Sequence, residues 1–74
     1  MTMKLFVDNF PDYMDASQLR SLFKSSGKIS GITVGRDKIS AHIEMETTKG
    51  GQKAIEMFHE MQMDGYIIGV EEVQ

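Results

Sequence analysis

From Ile39 to Met45 every second residue is apolar. Ile39, Ala41, Ile43 and Met45 fall on one face of an extended segment, and Lys38, Ser40, His42 and Glu44 fall on the other. Strict alternation of this kind describes a strand with one side buried and one side in water. A sheet built from such strands needs cover on its dry face, and the rest of the chain must supply it from 74 residues. That length holds one domain near the lower limit of independent folding. The chain has no cysteine, which excludes disulfides, thiolate zinc sites and thiol catalysis.

The cover is legible on both sides of this segment. Lys4 to Asp8 reads as a first short strand, stopped by Asn9 to Asp12 with Pro11 among them. Asp15 with Gln18 three residues later forms a capping-box pattern, so a helix starts at about Ala16. Leu19, Leu22 and Phe23 make its apolar stripe, and Ser25-Ser26-Gly27 ends it with a glycine suited to the left-handed C′ position. Ile29, Ile32 and Val34 mark a second strand, and Gly35-Arg36-Asp37 a tight reversal into the alternating third. Thr47 and Thr48 can cap a second helix with apolar positions Ala54, Ile55, Phe58 and Met61. Gly50 and Gly51 in its first turn weaken it by about 1 kcal/mol each relative to alanine. Asp64-Gly65 turns the chain into a last strand, Ile68 to Val73.

The order βαββαβ predicts an α+β, ferredoxin-like sandwich spanning residues 1–74. Four antiparallel strands carry both helices on one face, with the first and third strands in the centre. The opposite face is open. It is expected to present Phe6 and Asp8 from the first strand and Lys38, Ser40, His42 and Glu44 from the third, flanked by Thr33 and Glu71. A phenylalanine on a wet strand has two readings: a platform for base stacking, or a surface aromatic covered by its neighbours. Eight basic residues against eleven acidic ones give a net charge of −3, which argues against any function resting on a strong basic field. No apolar run approaches the roughly 20 residues of a membrane-spanning helix, and no membrane association is expected.

The hexamer Leu5-Phe6-Val7-Asp8-Asn9-Phe10 resembles the first-strand signature of the RNA recognition motif family. Leu19-Arg20-Ser21-Leu22-Phe23 with Gly27-Lys28-Ile29 is similar to that family's first helix and second strand. Ala54-Ile55, Phe58 and Asp64-Gly65 through Ile68, Val70 and Glu71 are similar to its second helix and fourth strand. Within the family, the short reversal between strands two and three and the Leu19–Phe23 match resemble Lark-type and related splicing-factor motifs.

The resemblance implies single-stranded RNA as the partner, held by stacking aromatics in the first strand and in a third-strand octamer. Here the octamer is Lys38-Ile39-Ser40-Ala41-His42-Ile43-Glu44-Met45, in which serine, histidine and methionine replace the three aromatics. The implied RNA-binding residues are Phe6, Lys38, His42, Ser40, Asp8, Arg36 and Thr33, with Lys38 on a phosphate. Asp8 and Glu44 on the same face repel phosphates, and Lys4 and Lys28 lie near the sheet margins. Binding is therefore expected to be weak, on the order of micromolar or poorer. The resemblance also implies a module of a larger RNA-processing or regulatory protein, monomeric in isolation and intracellular, with the nucleus ahead of the cytoplasm.

A second reading is a protein-interaction module on the same scaffold. It would use the open sheet or a helical face bearing Met57, Met61 and Met63, though methionine also serves as core filler. Tyr66-Ile67-Ile68 stands where the family's tryptophan-binding variant has Arg-x-Phe, which argues against that subtype. An enzyme is not expected. Acylphosphatases share the strand order but need an arginine in the first loop, and Asn9 to Met14 contains no basic residue. His42 and His59 fall on different elements, so no metal site and no cofactor is expected.

Overall fold

The computed structural model describes residues 1–73. Its main sheet holds β1 (Met3–Asp8), β2 (Ile29–Val34), β3 (Ser40–Met45) and β6 (Gly69–Glu72) in the order β2-β3-β1-β6, with every pair antiparallel. Helices α1 (Ala16–Phe23) and α2 (Thr48–Phe58) pack on one face. This is the βαββαβ sandwich, with β1 and β3 central as the element order and right-handed crossovers predict.

The pleat sorts the residues. Leu5 and Val7 of β1, Ala41, Ile43 and Met45 of β3 and Val70 of β6 point into the core, where they meet Leu19 and Phe23 of α1 and Ala54 and Phe58 of α2. The rings of Phe23 and Phe58 lie 4.7 Å apart at 51°, joining the two helices over the sheet. In β2 the core positions are spaced by three and then two residues, which a regular strand cannot place on one side. A bulge at Ser30 resolves this. Ile29 faces Met45 and Gly31 faces Glu44, so the extra residue returns Ile29 to the core side with Ile32 and Val34.

Both helix starts follow the cap chemistry. Asp15 Oδ1 accepts from the Gln18 N–H while Gln18 Oε1 accepts from the Asp15 N–H, and Thr47 Oγ1 accepts from the Gly50 N–H. The end of α1 differs from expectation. The helix stops at Phe23, and Lys24 at its C-cap keeps a right-handed backbone. Gly27 does not adopt the left-handed conformation. It serves instead for close approach, since a Cβ there would sit 3.0 Å from the Gly50 Cα.

Three further boundaries depart from the sequence reading. Lys38 and Ile39 belong to the β2–β3 turn and not to β3. The Asp37 carboxylate accepts from the N–H groups of Ile39 and Ser40, which withholds Ile39 from the ladder, and Lys38 takes φ 65°. Ile39 is accordingly 41% exposed and outside the core. Next, α2 ends at Phe58, and the chain makes a small separate hairpin, β4 (Gln62–Met63) and β5 (Tyr66–Ile67), around Asp64-Gly65, both at positive φ. Finally, Met57 is exposed on α2 whereas Met61 and Met63 lie beyond it, partly buried against the core, so the three share no helical face. His59 closes α2 onto the sheet, its Nδ1 accepting from the Val70 N–H at 3.1 Å.

Candidate nucleic-acid interface on the open sheet

The face opposite the helices is organised in rows across the strands. The middle row runs Thr33, His42, Phe6, Glu71, each opposite the next across a strand pair. Phe6 is half-buried and His42 exposed, with ring centroids 5.2 Å apart and planes at 55°. Rings so tilted cannot both lie flat on one base; they offer two adjoining platforms.

On one side lies the row Gly31, Glu44, Lys4. The Val73 N–H donates to the Lys4 carbonyl just past the end of β6. Lys4, Gly31, Thr33, His42, Glu44 and Val73 line an open depression of about 580 Å³. Lys4 and Glu44 face each other across β1 and β3, yet no ion pair joins them within 4.0 Å among the described residues. On the other side lies the row Ser40, Asp8, Gly69.

The fold thus brings Phe6, His42, Thr33, Asp8 and Ser40 onto one surface and leaves two of the expected residues off it. Lys38 lies in the turn, at the rim of a depression that Asp12, Met14 and Asp15 also line. Arg36 is exposed in the same turn. Ser40 is on the face, but its hydroxyl donates to both Asp37 oxygens, at 2.9 and 3.0 Å. The Ile39 N–H and the Ser40 hydroxyl hold the Asp37 carboxyl below its ordinary pKa. Lys4, set at the sheet margin by the sequence reading, is the cation on the face. Its spacing of two from Phe6 is the signal for that position. Gly31 carried no such signal, because the Ser30 bulge decides which way it faces.

The loop after β1 is tied to the small hairpin. Asn9, at φ 60°, donates from its side-chain amide to the Ile67 carbonyl at 2.9 Å. The left-handed backbone is one that asparagine tolerates. The Tyr13 hydroxyl donates to the Asp64 carboxylate, which keeps the phenol protonated above its usual range.

The RNA recognition motif family model matches residues 5–69, which is most of the chain, from within β1 to the first residue of β6. The chain belongs to the RNA recognition motif family. Motifs of this family are RNA-binding modules whose sheet aromatics stack bases. Among curated proteins, the chain is similar to an Arabidopsis thaliana chloroplastic RNA-binding protein, CP29B, with 32% identity over 85% of this chain and 24% of that protein. The chain spans about a quarter of the length of this relative. Among solved structures, the motif of Schizosaccharomyces pombe Puf1 superposes with a TM-score of 0.88 at 20% identity, covering 96% of this chain and 97% of that one. Domains 1 and 2 of Drosophila melanogaster Sex-lethal give 0.91 at 20% identity, over 97% of this chain and 50% of that one. At these identities the likeness is one of fold.

Proposed function

We propose that this motif binds single-stranded RNA weakly through the open sheet face. Phe6 and His42 would each stack one base, and Lys4 would meet a phosphate. The observation that carries the proposal is the Phe6–His42 pair, two ring platforms 5.2 Å apart at the centre of the uncovered face. Thr33 extends the row beside His42 and supplies a hydroxyl to a base edge or sugar. Asp8 borders the platform and turns phosphates away from that side. Arg36 and Lys38 touch backbone phosphates only where RNA continues past the β2–β3 turn. Ser40 contributes little, its hydroxyl being held by Asp37.

The role is binding and not catalysis, and residues 1–74 act as one motif, monomeric in isolation, within a longer protein of RNA metabolism. The setting is intracellular. The family's presence in a chloroplastic relative leaves no reason to favour the nucleus.

Titrating the ¹⁵N-labelled domain with pooled short RNAs tests the reading. Shifts are expected at Phe6, His42, Thr33 and Lys4. Phe6→Ala should weaken binding about tenfold, within the roughly 1–3 kcal/mol that stacking contributes per base. Silence at Phe6 and His42 with millimolar RNA would remove the proposal.

A further inference from the structure

We infer that Glu44 reads a base, selecting one whose edge presents hydrogen-bond donors, guanine above all. This inference rests on the proposed RNA-binding reading of the sheet face. Glu44 stands at the middle of its row, half-buried, and has no hydrogen-bond or ion-pair partner among the described residues, although Lys4 lies directly across from it. A carboxylate in that position opposes phosphate binding, so it gains nothing from the RNA backbone. Its other neighbour is Gly31, where a side chain would meet nothing within 4 Å. The missing side chain opens the depression beside Glu44.

His42 lines the same depression and lies two residues earlier on the same face of β3. A two-residue step along a strand covers about 6.6 Å, close to the roughly 3–4 Å from the centre of a stacked base to its pairing-edge groups plus a hydrogen bond of about 2.9 Å. A base stacked on His42 and leaning toward Gly31 therefore lays that edge over the Glu44 carboxylate, while Lys4 across the row is free to neutralise the adjoining phosphate.

The chemistry of the group then selects the base. An ionised carboxylate only accepts hydrogen bonds, through two oxygens side by side. Guanine offers N1–H and N2–H as two parallel donors, a bidentate match of the kind that strengthens charge-assisted bonds. Cytosine and adenine each offer one amino group beside a ring-nitrogen acceptor that the carboxylate repels. Uracil places a single N–H between two carbonyl oxygens and fits worst.

Four pentanucleotides, UUGUU, UUIUU with inosine, UUCUU and UUUUU, titrated into the wild-type domain and into Glu44→Gln, test this. Wild type should bind UUGUU about tenfold more tightly than UUUUU, in the range expected of one good base contact. Inosine, which keeps N1–H and lacks the amino group, should fall between them. In Glu44→Gln the preference should shrink to within about twofold, with UUUUU binding kept or tightened as the negative charge is removed. A wild-type preference within twofold, or one that Glu44→Gln preserves, overturns the inference and leaves the RNA-binding reading standing, provided Phe6 and His42 still shift. No shift at Phe6 or His42 with any of the four overturns both.

Discussion

Asp37 accepts hydrogen bonds from two backbone N–H groups and from the Ser40 hydroxyl, and these bonds favour its ionised form. A carboxyl whose pKa is lowered by folding stabilises the fold above its unfolded pKa and loses that contribution as pH falls through the folded value. The β2–β3 turn should thus be fully ordered at neutral pH and loosen in acid below about pH 4, where an unperturbed aspartate protonates. Ser40→Ala removes one of the donors and should raise the Asp37 pKa toward its ordinary value, as read from the pH titration of the carboxyl carbon by NMR. An unmoved titration would mean that the backbone donors alone set it. Because the hydroxyl already serves the turn, the same variant should leave RNA affinity unchanged within about twofold. A single side chain thereby decides two matters at once: where β3 begins, and which polar groups of the open face remain available to a ligand.

Glycine shows how the same residue does different work in different elements. Gly51 in α2 sits against β1, and a Cβ there would come within 2.8 Å of the Met3 Cβ, an atom the strand backbone holds in place. Gly51→Ala should gain about 1 kcal/mol of helix propensity and lose about 1–3 kcal/mol to overpacking, for a net loss near 1 kcal/mol in denaturant unfolding. Gly31 in β2 faces open space. Gly31→Ala should therefore hold or raise stability by about 0.5–1 kcal/mol, while narrowing the depression beside Glu44 and weakening binding of UUGUU. Opposite signs of the two stability changes separate close packing from an opening kept for a ligand. The sequence reveals the parts of these elements whose causes are local. The Asp15–Gln18 box and the Thr47 cap are visible because donor and acceptor lie three residues apart, and the strand order follows from periodicity and right-handed crossovers. The β2–β3 boundary is hidden, since Lys38 and Ile39 continue the alternation of β3 and only the Asp37 side chain takes them out of it. The hairpin of β4 and β5 shows in sequence as Asp64-Gly65 alone, because strands of two residues have no period to read. On the candidate site, Phe6, His42 and Thr33 are legible from alternation. Lys38 was misplaced by the same alternation, and Gly31 was hidden by the bulge.

Over the whole molecule the charges divide between the sheet face and its surroundings. The face carries Asp8, Glu44 and Glu71 against Lys4. The remaining cations lie elsewhere: Arg20, Lys24 and Lys28 gather where α1 meets the start of β2, Arg36 and Lys38 sit in the β2–β3 turn, and Lys49 and Lys53 ride on α2. Lys28 is in addition drawn toward Glu46 at 3.9 Å, an exposed pair that contributes little to stability. RNA lying across Phe6 and His42 therefore meets one lysine directly and two further cations only at the turn. Each phosphate neutralised on a single strand contributes about 0.7 to the slope of log K against log salt. One to three such contacts give a slope of about −0.7 to −2, so raising salt from about 50 to 200 mM should weaken binding by roughly threefold to twentyfold. Fluorescence anisotropy of a labelled pentanucleotide over that range measures it. A slope steeper than about −3 would require more cations than the sheet and its turn supply, and would move the RNA path toward the Arg20, Lys24 and Lys28 edge. A shallow slope together with a large loss on Phe6→Ala would place most of the affinity in the stacked bases, as a negatively charged platform with two ring faces demands.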